Sequence, residues 1–280
     1  MMDKDCAKES LKLKNLWQSI LYRIGFIREN PTYFDPDGLT IFVGPQGSGK
    51  TLSAVNYIYK LMEKYPKCKL VTNIMFKDYP IVTFEEFINQ YSLIIKKAYK
   101  ANELSEDDRA YLFEQYKRYN RVFPFDNADD LQMFVNDIEG IIYFIDEIQL
   151  YFSSLESKNI NPDVMVEFAQ QRKQRKHFVA TSQVFGRMAK PLREQFSSVV
   201  VCKNWFKYLQ QNKLVDRDSI EESTNDMNVQ GKCIKQWWWW HSPKMYDRYD
   251  TYYKISRTKF VSEEKKGVSI YDGNQLPRSS

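Results

Sequence analysis

The stretch from residue 44 to residue 51 constrains the fold of this 280-residue chain more than any other feature. Its residues are, in order, Gly44, Pro45, Gln46, Gly47, Ser48, Gly49, Lys50 and Thr51. They match the P-loop pattern, and they lie between a β-type run, LTIFV, and apolar residues at helical spacing. Because the backbone N–H groups of such a loop bind phosphates, the pattern predicts ATP as ligand, with Lys50 on the β- and γ-phosphates and Thr51 on Mg²⁺.

Two acidic residues, Asp146 and Glu147, end the most apolar strand candidate of the chain, GIIYFI. Continuous apolar runs of this kind are typical of parallel strands that are buried on both faces. Beside the P-loop, Asp146 can orient Mg²⁺ through water and Glu147 can polarise the water that attacks the γ-phosphate. A kinase does not need the second carboxylate, so Glu147 favours hydrolysis. The alternative to a catalytic role is a structural one, in which Asp146 and Glu147 cap the turn that follows the strand.

Strands and helices alternate along the core, which predicts an α/β fold of the P-loop NTPase type with a central, mostly parallel sheet. The strand candidates are LTIFV, KLVTNI, GIIYFI, HFVATSQ and SSVVVCK. If HFVATSQ lies between the P-loop strand and the Asp146 strand, Gln183 emerges at the same edge, where it can sense the γ-phosphate. A capping or turn-forming role for Gln183 is the alternative.

The chain divides into four predicted segments by its composition. They are an N-terminal helix with its lead-in at 1–38, the P-loop core at 39–205, an aromatic β-rich extension at 206–261 and a polar tail, expected to be disordered, at 262–280. The core contains a charged helical insertion at about 91–130, with a helix cap near Ser105. Before it, TFEEFINQYS predicts a helix with a capping box of Thr83 and Glu86.

The N-terminal segment contains a basic amphipathic helix over residues 11–24. We expect its apolar stripe to cover its own domain, and a peripheral membrane contact or a partner subunit are the alternatives. The net charge of +5 permits a nucleic-acid or membrane-surface partner without arguing for either. Four scattered cysteines indicate neither a zinc site nor a disulfide framework, and no stretch predicts a membrane span. These features predict a cytoplasmic protein, in the host cytoplasm if the chain is viral.

Several motifs resemble, in order, those of the FtsK/HerA group of RecA-like (ASCE) P-loop ATPases. They are VTNI, YFIDEIQLYF, QQRKQRKHFVATSQ and PLREQFSSVVV, and the resemblance covers roughly residues 39 to 205. Within the group the chain is similar to the zonular occludens toxin family, with its filamentous-phage assembly ATPases, and to viral packaging ATPases. The resemblance implies a Mg²⁺-dependent ATPase that forms a homo-oligomeric ring, with a hexamer among the allowed sizes, and moves DNA or a DNA–protein filament. Other virion or assembly proteins would be its partners.

Phage assembly members of that family usually carry a membrane-spanning segment after the ATPase domain, and we find none in this sequence. The resemblance therefore favours a packaging or transfer motor over membrane extrusion. An assembly switch, whose slow ATP cycle only controls partner binding, is the second function. A small-molecule kinase is the third, and Glu147 disfavours it.

Arginines near HFVATSQ are candidates for completing the site of a neighbouring subunit, as ring ATPases of this kind require. Arg193 and Arg172 are the two candidates, and a phosphate-backbone contact or a solvated basic face are the alternatives. The run of four tryptophans from Trp237 to Trp240 predicts a strand with aromatic side chains on both faces. We expect packing or a protein interface there, and stacking on single-stranded bases is the alternative. The Tyr-rich stretch YDRYDTYYKI is expected to form the neighbouring strand.

Overall fold

The computed structural model describes residues 13–30, 33–36, 38–95, 104–135, 139–155, 160–220, 229 and 231–250. Within these residues, one sheet forms the centre of the molecule. Its strands are β1 (Thr40–Val43), β2 (Lys69–Thr72), β3 (Val122–Pro124), β4 (Ile141–Ile145), β5 (Lys176–Ser182), β6 (Ser198–Trp205), β7 (Leu209–Val215) and β8 (Cys233–Trp240). The order across the sheet is β3-β2-β4-β5-β1-β6-β7-β8. The pairings from β3 to β6 are parallel, and β7 and β8 are antiparallel to their neighbours.

The described helices are α1 (Leu13–Glu29), α2 (Lys50–Lys64), α3 (Phe84–Ile95), α4 (Glu106–Tyr119), α5 (Pro162–Ala169), α6 (Lys190–Arg193) and α7 (Pro243–Tyr246). Helices other than α1 cover the two faces of the sheet. All five residues of β4 are buried, because its alternate side chains enter two hydrophobic clusters, one on each face. Val55 and Ile58 of α2 pack in one cluster, and Phe168 of α5 and Leu192 of α6 pack in the other. The predicted α/β fold of the P-loop NTPase type is confirmed.

The strand order places the chemically important strand ends together. β5 lies between β1 and β4, with Val43 opposite Ser182 and Ile145 opposite Ala180. The position predicted for HFVATSQ is therefore confirmed. Because parallel strands share their direction, the P-loop, Glu147 and Gln183 emerge at one edge of the sheet.

The inserted segment at about 91–130 contains the predicted helix, but it also contains a strand that the sequence does not predict. Ser105 caps α4, since its hydroxyl accepts a hydrogen bond from the Asp108 N–H at 3.2 Å, and the Thr83–Glu86 capping box is present. After α4, however, the chain forms β3, which extends the sheet beside β2. A strand of three residues within a charged segment is too short to show a β pattern in the sequence.

The N-terminal helix does not cover its own domain, so that expectation is wrong. Its exposed apolar side chains are Leu16, Trp17, Ile20, Leu21, Ile24 and Ile27. The opposite side of the helix faces the lead-in to the core, where Phe26 meets the Tyr33 ring with centroids 5.0 Å apart. No helix within the described residues is long and apolar enough to span a bilayer.

The C-terminal extension continues the central sheet through β7 and β8. The predicted strand within YDRYDTYYKI is not the neighbour of β8 in the part that the structure describes. α7 ends at Tyr246, the first residue of that stretch, and the chain then passes α2, where the Tyr59 hydroxyl donates to the Arg248 carbonyl oxygen. The backbone of Tyr249 forms an isolated bridge with Phe76, which follows β2 in the chain. The rest of that stretch and the predicted disordered tail lie outside the described residues.

His177 gives the fold a specific dependence on pH. Its imidazole is fully buried in β5, with Nδ1 2.6 Å from the Gly38 carbonyl oxygen and Nε2 3.1 Å from the Tyr57 hydroxyl. A neutral ring that donates from Nδ1 and accepts at Nε2 satisfies both partners. Burial lowers the pKa of His177 to about 4. The folded state therefore resists protonation, while the unfolded chain gains a proton below its ordinary pKa of about 6.5.

We expect His177 to contribute a loss of about 2 kcal/mol in the free energy of unfolding as pH falls from about 7 to 4.5. The measurement is urea unfolding across this pH range for the wild type and His177→Gln. Stability of the variant should depend less steeply on pH, whatever its absolute value, because glutamine does not titrate. Identical slopes for the two proteins would contradict a buried neutral imidazole.

Candidate active site

The P-loop connects β1 to α2 and adopts a backbone that needs glycine. Gly47 and Gly49 both have φ of 78°, and a Cβ on Gly49 would stand 2.1 Å from the Gln210 side-chain oxygen. The helix begins at Lys50, so its free N–H groups and positive dipole end face the loop. The Ser48 hydroxyl is buried and has no hydrogen-bond partner within the described chain. A loop with these features suits a phosphate group.

Asp146 is the partly buried carboxylate that follows β4, and its side chain connects the P-loop helix to β5. Its Oδ1 accepts hydrogen bonds from the hydroxyls of Thr51 at 2.9 Å and Thr181 at 2.7 Å. Burial raises the pKa of Asp146, the Glu147 charge adds to the rise, and the two hydroxyls and Lys50 oppose it. A desolvated carboxylate beside a hydroxyl oxygen is a donor set that suits Mg²⁺, which is held in such sites by one or two protein oxygens and substrate phosphates.

Glu147 has a left-handed backbone, with φ of 54°, which is strained for this residue. Its N–H donates to the Thr181 hydroxyl at 2.9 Å, and Lys50 Nζ lies 3.0 Å from its Oε1. Gln183 Nε2 donates to the same oxygen at 3.1 Å, and the Gln149 amide donates to Oε2. The turn after β4 therefore aims this carboxylate at the P-loop lysine, and the predicted residues Lys50, Glu147 and Gln183 meet at one point.

Asn73, at the end of β2, is a site residue that the sequence analysis missed. Its Nδ2 donates to the Asp146 carbonyl oxygen at 2.9 Å, and its Oδ1 accepts from the Asp146 N–H at 2.8 Å. These two bonds fix the backbone on which the carboxylates are mounted. A polar residue at the end of the apolar strand KLVTNI was the available signal, and it had the same form as the signal that identified Gln183.

Gln210 of β7 is a second missed residue, and it joins the C-terminal extension to the P-loop. It is fully buried, and its Nε2 donates to the Ser48 carbonyl oxygen at 3.0 Å. Its Oε1 lies 3.2 Å from His241 Nε2. The neighbouring Asn212 accepts a hydrogen bond from the Ser53 hydroxyl of α2 at 3.2 Å. Both contacts come from β7, so this strand supports the loop and the first turn of its helix.

The two candidate arginines lie outside the group of contacts around Glu147. Arg193 ends α6, and its guanidinium carbon stands 6.0 Å from the centroid of the Phe185 ring. Arg172 is exposed in the turn that follows α5. Neither makes a hydrogen bond or ion pair with Lys50, Asp146 or Glu147 in the described part of the chain.

Comparison with known proteins identifies a family. The zonular occludens toxin (Zot) family model matches residues 38–236, and none of the curated proteins matches the chain. Among solved structures, the chain is similar to the N-terminal domain of zonular occludens toxin from Neisseria meningitidis, with 15% identity, 77% of this chain and 100% of that chain covered, and a TM-score of 0.44.

Two further solved structures are similar to the chain. One is the genome packaging NTPase B204 from Sulfolobus turreted icosahedral virus 2 in complex with AMPPCP, with 10% identity, 70% of this chain and 97% of that chain covered, and a TM-score of 0.44. The other is the flagellar accessory protein FlaH from Methanocaldococcus jannaschii, with 13% identity, 67% of this chain and 88% of that chain covered, and a TM-score of 0.37.

Gln210→Ala should weaken nucleotide binding by about fivefold to tenfold, because it removes the amide that supports the Ser48 carbonyl group and leaves that group buried. Gln211→Ala is the matched control, since Gln211 is also buried on β7 but bonds Trp205 on the other face. Titration with a fluorescent ATP analogue gives the affinity, and thermal unfolding gives the stability of each variant. Equal loss of affinity in both variants would mean that β7 acts only through general stability.

Proposed function

The chain belongs to the zonular occludens toxin family, and from this premise we propose that it is a Mg²⁺-dependent ATPase that works as a homo-oligomeric ring and moves DNA during the assembly of a virus or mobile element. The observation that carries the proposal is the 3.0 Å contact of the buried Lys50 with Glu147, beside the partly buried Asp146. A phosphate-binding lysine and a carboxylate suited to activating water meet at one sheet edge.

Binding of ATP has to rearrange the contact between Lys50 and Glu147. Lys50 Nζ would exchange the carboxylate for the β- and γ-phosphates, which carry more negative charge. Glu147 would then be free to accept a proton from the attacking water. Thr51 and Asp146 would hold Mg²⁺, which neutralises charge on the phosphate oxygens when it is bound.

Gln183 is positioned to respond when Lys50 exchanges Glu147 for the phosphates. Its amide bonds the same Glu147 oxygen that Lys50 contacts, and its side chain stands at the exposed mouth of the site. When Glu147 turns toward water, the Gln183 amide can donate to the γ-phosphate or to that water. This is the sensor role that the end of the strand predicts, and a purely structural role would leave the catalytic rate unchanged.

Two observations support the proposed oligomer and its DNA cargo. Arg172 and Arg193 make no hydrogen bond or ion pair with Lys50, Asp146 or Glu147 within the described residues, and we propose that one of them completes the site of a neighbouring subunit. Family membership supports DNA, or a DNA–protein filament, as cargo, with virion or assembly proteins as further partners. We place this work in the cytoplasm. The exposed apolar side chains of α1 are compatible with a peripheral membrane contact through residues 11–24 or with a contact to a partner subunit.

We expect ATP hydrolysis to increase at least severalfold when DNA is added, because a motor couples turnover to its cargo. Glu147→Gln should abolish basal and stimulated hydrolysis, yet bind ATP at least as tightly as the wild type. It removes a carboxylate that competes with phosphate for Lys50. Lys50→Ala is the contrasting variant and should lose ATP binding. Phosphate release with single-stranded and double-stranded DNA, and mass in solution, are the measurements.

Two results would redirect the proposal. Hydrolysis that no DNA stimulates, in a protein that forms the oligomer, would favour the assembly switch. Wild-type turnover by Glu147→Gln would remove this residue from the catalytic role.

Mixing two inactive variants tests whether Arg193 acts in a neighbouring site. Arg193→Ala retains Lys50 and Glu147, and Glu147→Gln retains the arginine, so mixed rings contain some interfaces with every group present. We therefore expect the mixture to recover part of the wild-type rate, measured as phosphate release at a concentration where the mixed oligomer is verified by mass. A mixed oligomer without recovery would show that Arg193 does not act in trans, and Arg172→Ala then enters the same experiment.

A further inference from the structure

The run of four tryptophans is divided by the sheet into two pairs with different surroundings. Trp237 and Trp239 are half-buried, and Trp237 packs against the hydrophobic cluster beneath α2. Trp238 and Trp240 point to the other face and are 46% and 71% exposed. One aromatic pair is thus held by the domain itself, while the other is open. A stacking platform requires only one open face.

The open tryptophans share their face of the sheet with basic and aromatic residues of β6 and β7. Register places Lys203 and Trp238 on either side of Gln211, and Lys213 lies on the same face. Trp205 lies 6.3 Å from Trp238 between ring centroids, and Lys203 Nζ lies 3.8 Å from the Trp205 centroid. We define the aromatic face as Lys203, Trp205, Lys213, Trp238 and Trp240.

The turn between β6 and β7 adds a projecting aromatic residue next to this face. Phe206 and Lys207 both have positive φ, 53° and 66°, in a tight turn of the kind that normally uses asparagine and glycine. The Phe206 side chain is 83% exposed. An exposed phenylalanine in a strained turn adds nothing to the core, and such strain is frequent at ligand-binding positions.

The segments that carry the aromatic face contain basic and no acidic residues. Residues 203–215 and 231–246 together contain six lysines and no aspartate or glutamate. A second copy of the chain would bring the same lysines against one another, which disfavours symmetric self-association through this face. An anionic partner with flat apolar groups fits both the charge and the rings. Single-stranded nucleic acid has these properties, because its bases are free to stack and its phosphates pair with lysine.

We propose that the aromatic face and Phe206 form a binding site for single-stranded nucleic acid. Bases stack on Trp238, Trp240 and Phe206, and lysines such as Lys203 neutralise the phosphates. Trp238 and Trp240 are two residues apart on one strand, about 7 Å, so each ring can take its own base. Duplex DNA binds less tightly, because its bases are already stacked on one another. The proposal rests on the proposed function and specifies the form of the DNA that it handles.

Anisotropy of a fluorescein-labelled thymidine oligonucleotide tests the site in the full chain without ATP. Trp238→Ala and Trp240→Ala should each weaken binding by about tenfold, in the range found for loss of one stacked base. Trp240→Phe should retain most of the affinity. Tyr111→Ala on α4 is the control and should leave the affinity unchanged, since it removes an exposed aromatic ring from the helix that precedes β3, and β3 and β8 lie at opposite edges of the sheet.

Salt dependence separates stacking from charge. Lys203→Gln should lower the slope of log affinity against log salt by about 0.7, the value for one phosphate contact on a single strand. Trp240→Ala should leave that slope unchanged. The same slope in both variants would contradict the assigned division between rings and lysines.

Three results would overturn the inference. The first is unchanged oligonucleotide affinity in both tryptophan-to-alanine variants. The second is equal affinity for duplex and single-stranded DNA, with both affinities equally sensitive to the variants. The third is a fall in oligomer mass that accounts for the lost affinity. If both tryptophan-to-alanine variants bind the oligonucleotide normally and DNA still stimulates hydrolysis by the wild type, the proposed motor function is retained. Its DNA contact then lies elsewhere in the protein. A wild type that neither binds nor responds to any DNA refutes DNA as cargo as well.

Discussion

The architecture of the site depends on one partly buried carboxylate. Asp146 receives hydrogen bonds from Thr51 on α2 and Thr181 on β5, and Asn73, which directly follows β2, bonds its backbone in both directions. A desolvated carboxylate is unfavourable by itself, so these partners offset a cost that would otherwise act against the fold. The same contacts fix the relative positions of the P-loop helix and three strand ends. The group that holds the site together is thus also the one suited to a cation.

Glu147 shows how this support is used one residue further along the chain. Bonds from the Asn73 side chain to the Asp146 backbone, and from the Glu147 N–H to the Thr181 hydroxyl, hold the turn. Glu147 takes a left-handed conformation that directs its side chain to Lys50. A carboxylate beside the phosphate-binding lysine satisfies both charges before substrate arrives. Under the proposed function, phosphate would compete with this internal partner, and the exchange would release the carboxylate that we propose for hydrolysis. Strain and charge are concentrated on the same residue, as is common at functional sites.

The sequence predicted those features that are encoded locally. The P-loop, the acidic pair and the order of β1, β5 and β4 follow from glycine spacing, continuous apolar runs and polar strand ends. Asn73 and Gln210 could not be assigned, because each acts on residues distant in the chain and its partner depends on strand register. The strand β3 is too short for a periodic signal. The prediction that the apolar stripe of α1 packs on its own domain was wrong. An amphipathic pattern indicates that one face of a helix is apolar, but it does not indicate which surface packs against that face.

The strand β7 brings the two functional surfaces within one side chain of each other. Gln210 supports the P-loop from one face, and the adjacent Gln211 lies beneath Trp205 on the other face, where its Oε1 accepts a hydrogen bond from the indole N–H. Successive residues of a strand alternate between faces but share one backbone. A ligand that shifts β7 on the aromatic face therefore acts on the carbonyl group of Ser48 as well. If a bound strand raises the affinity for ATP, linkage requires ATP to raise the affinity for the strand by the same factor. In the proposed motor, hydrolysis would then weaken binding of the strand, and this alternation of binding and release is what translocation needs.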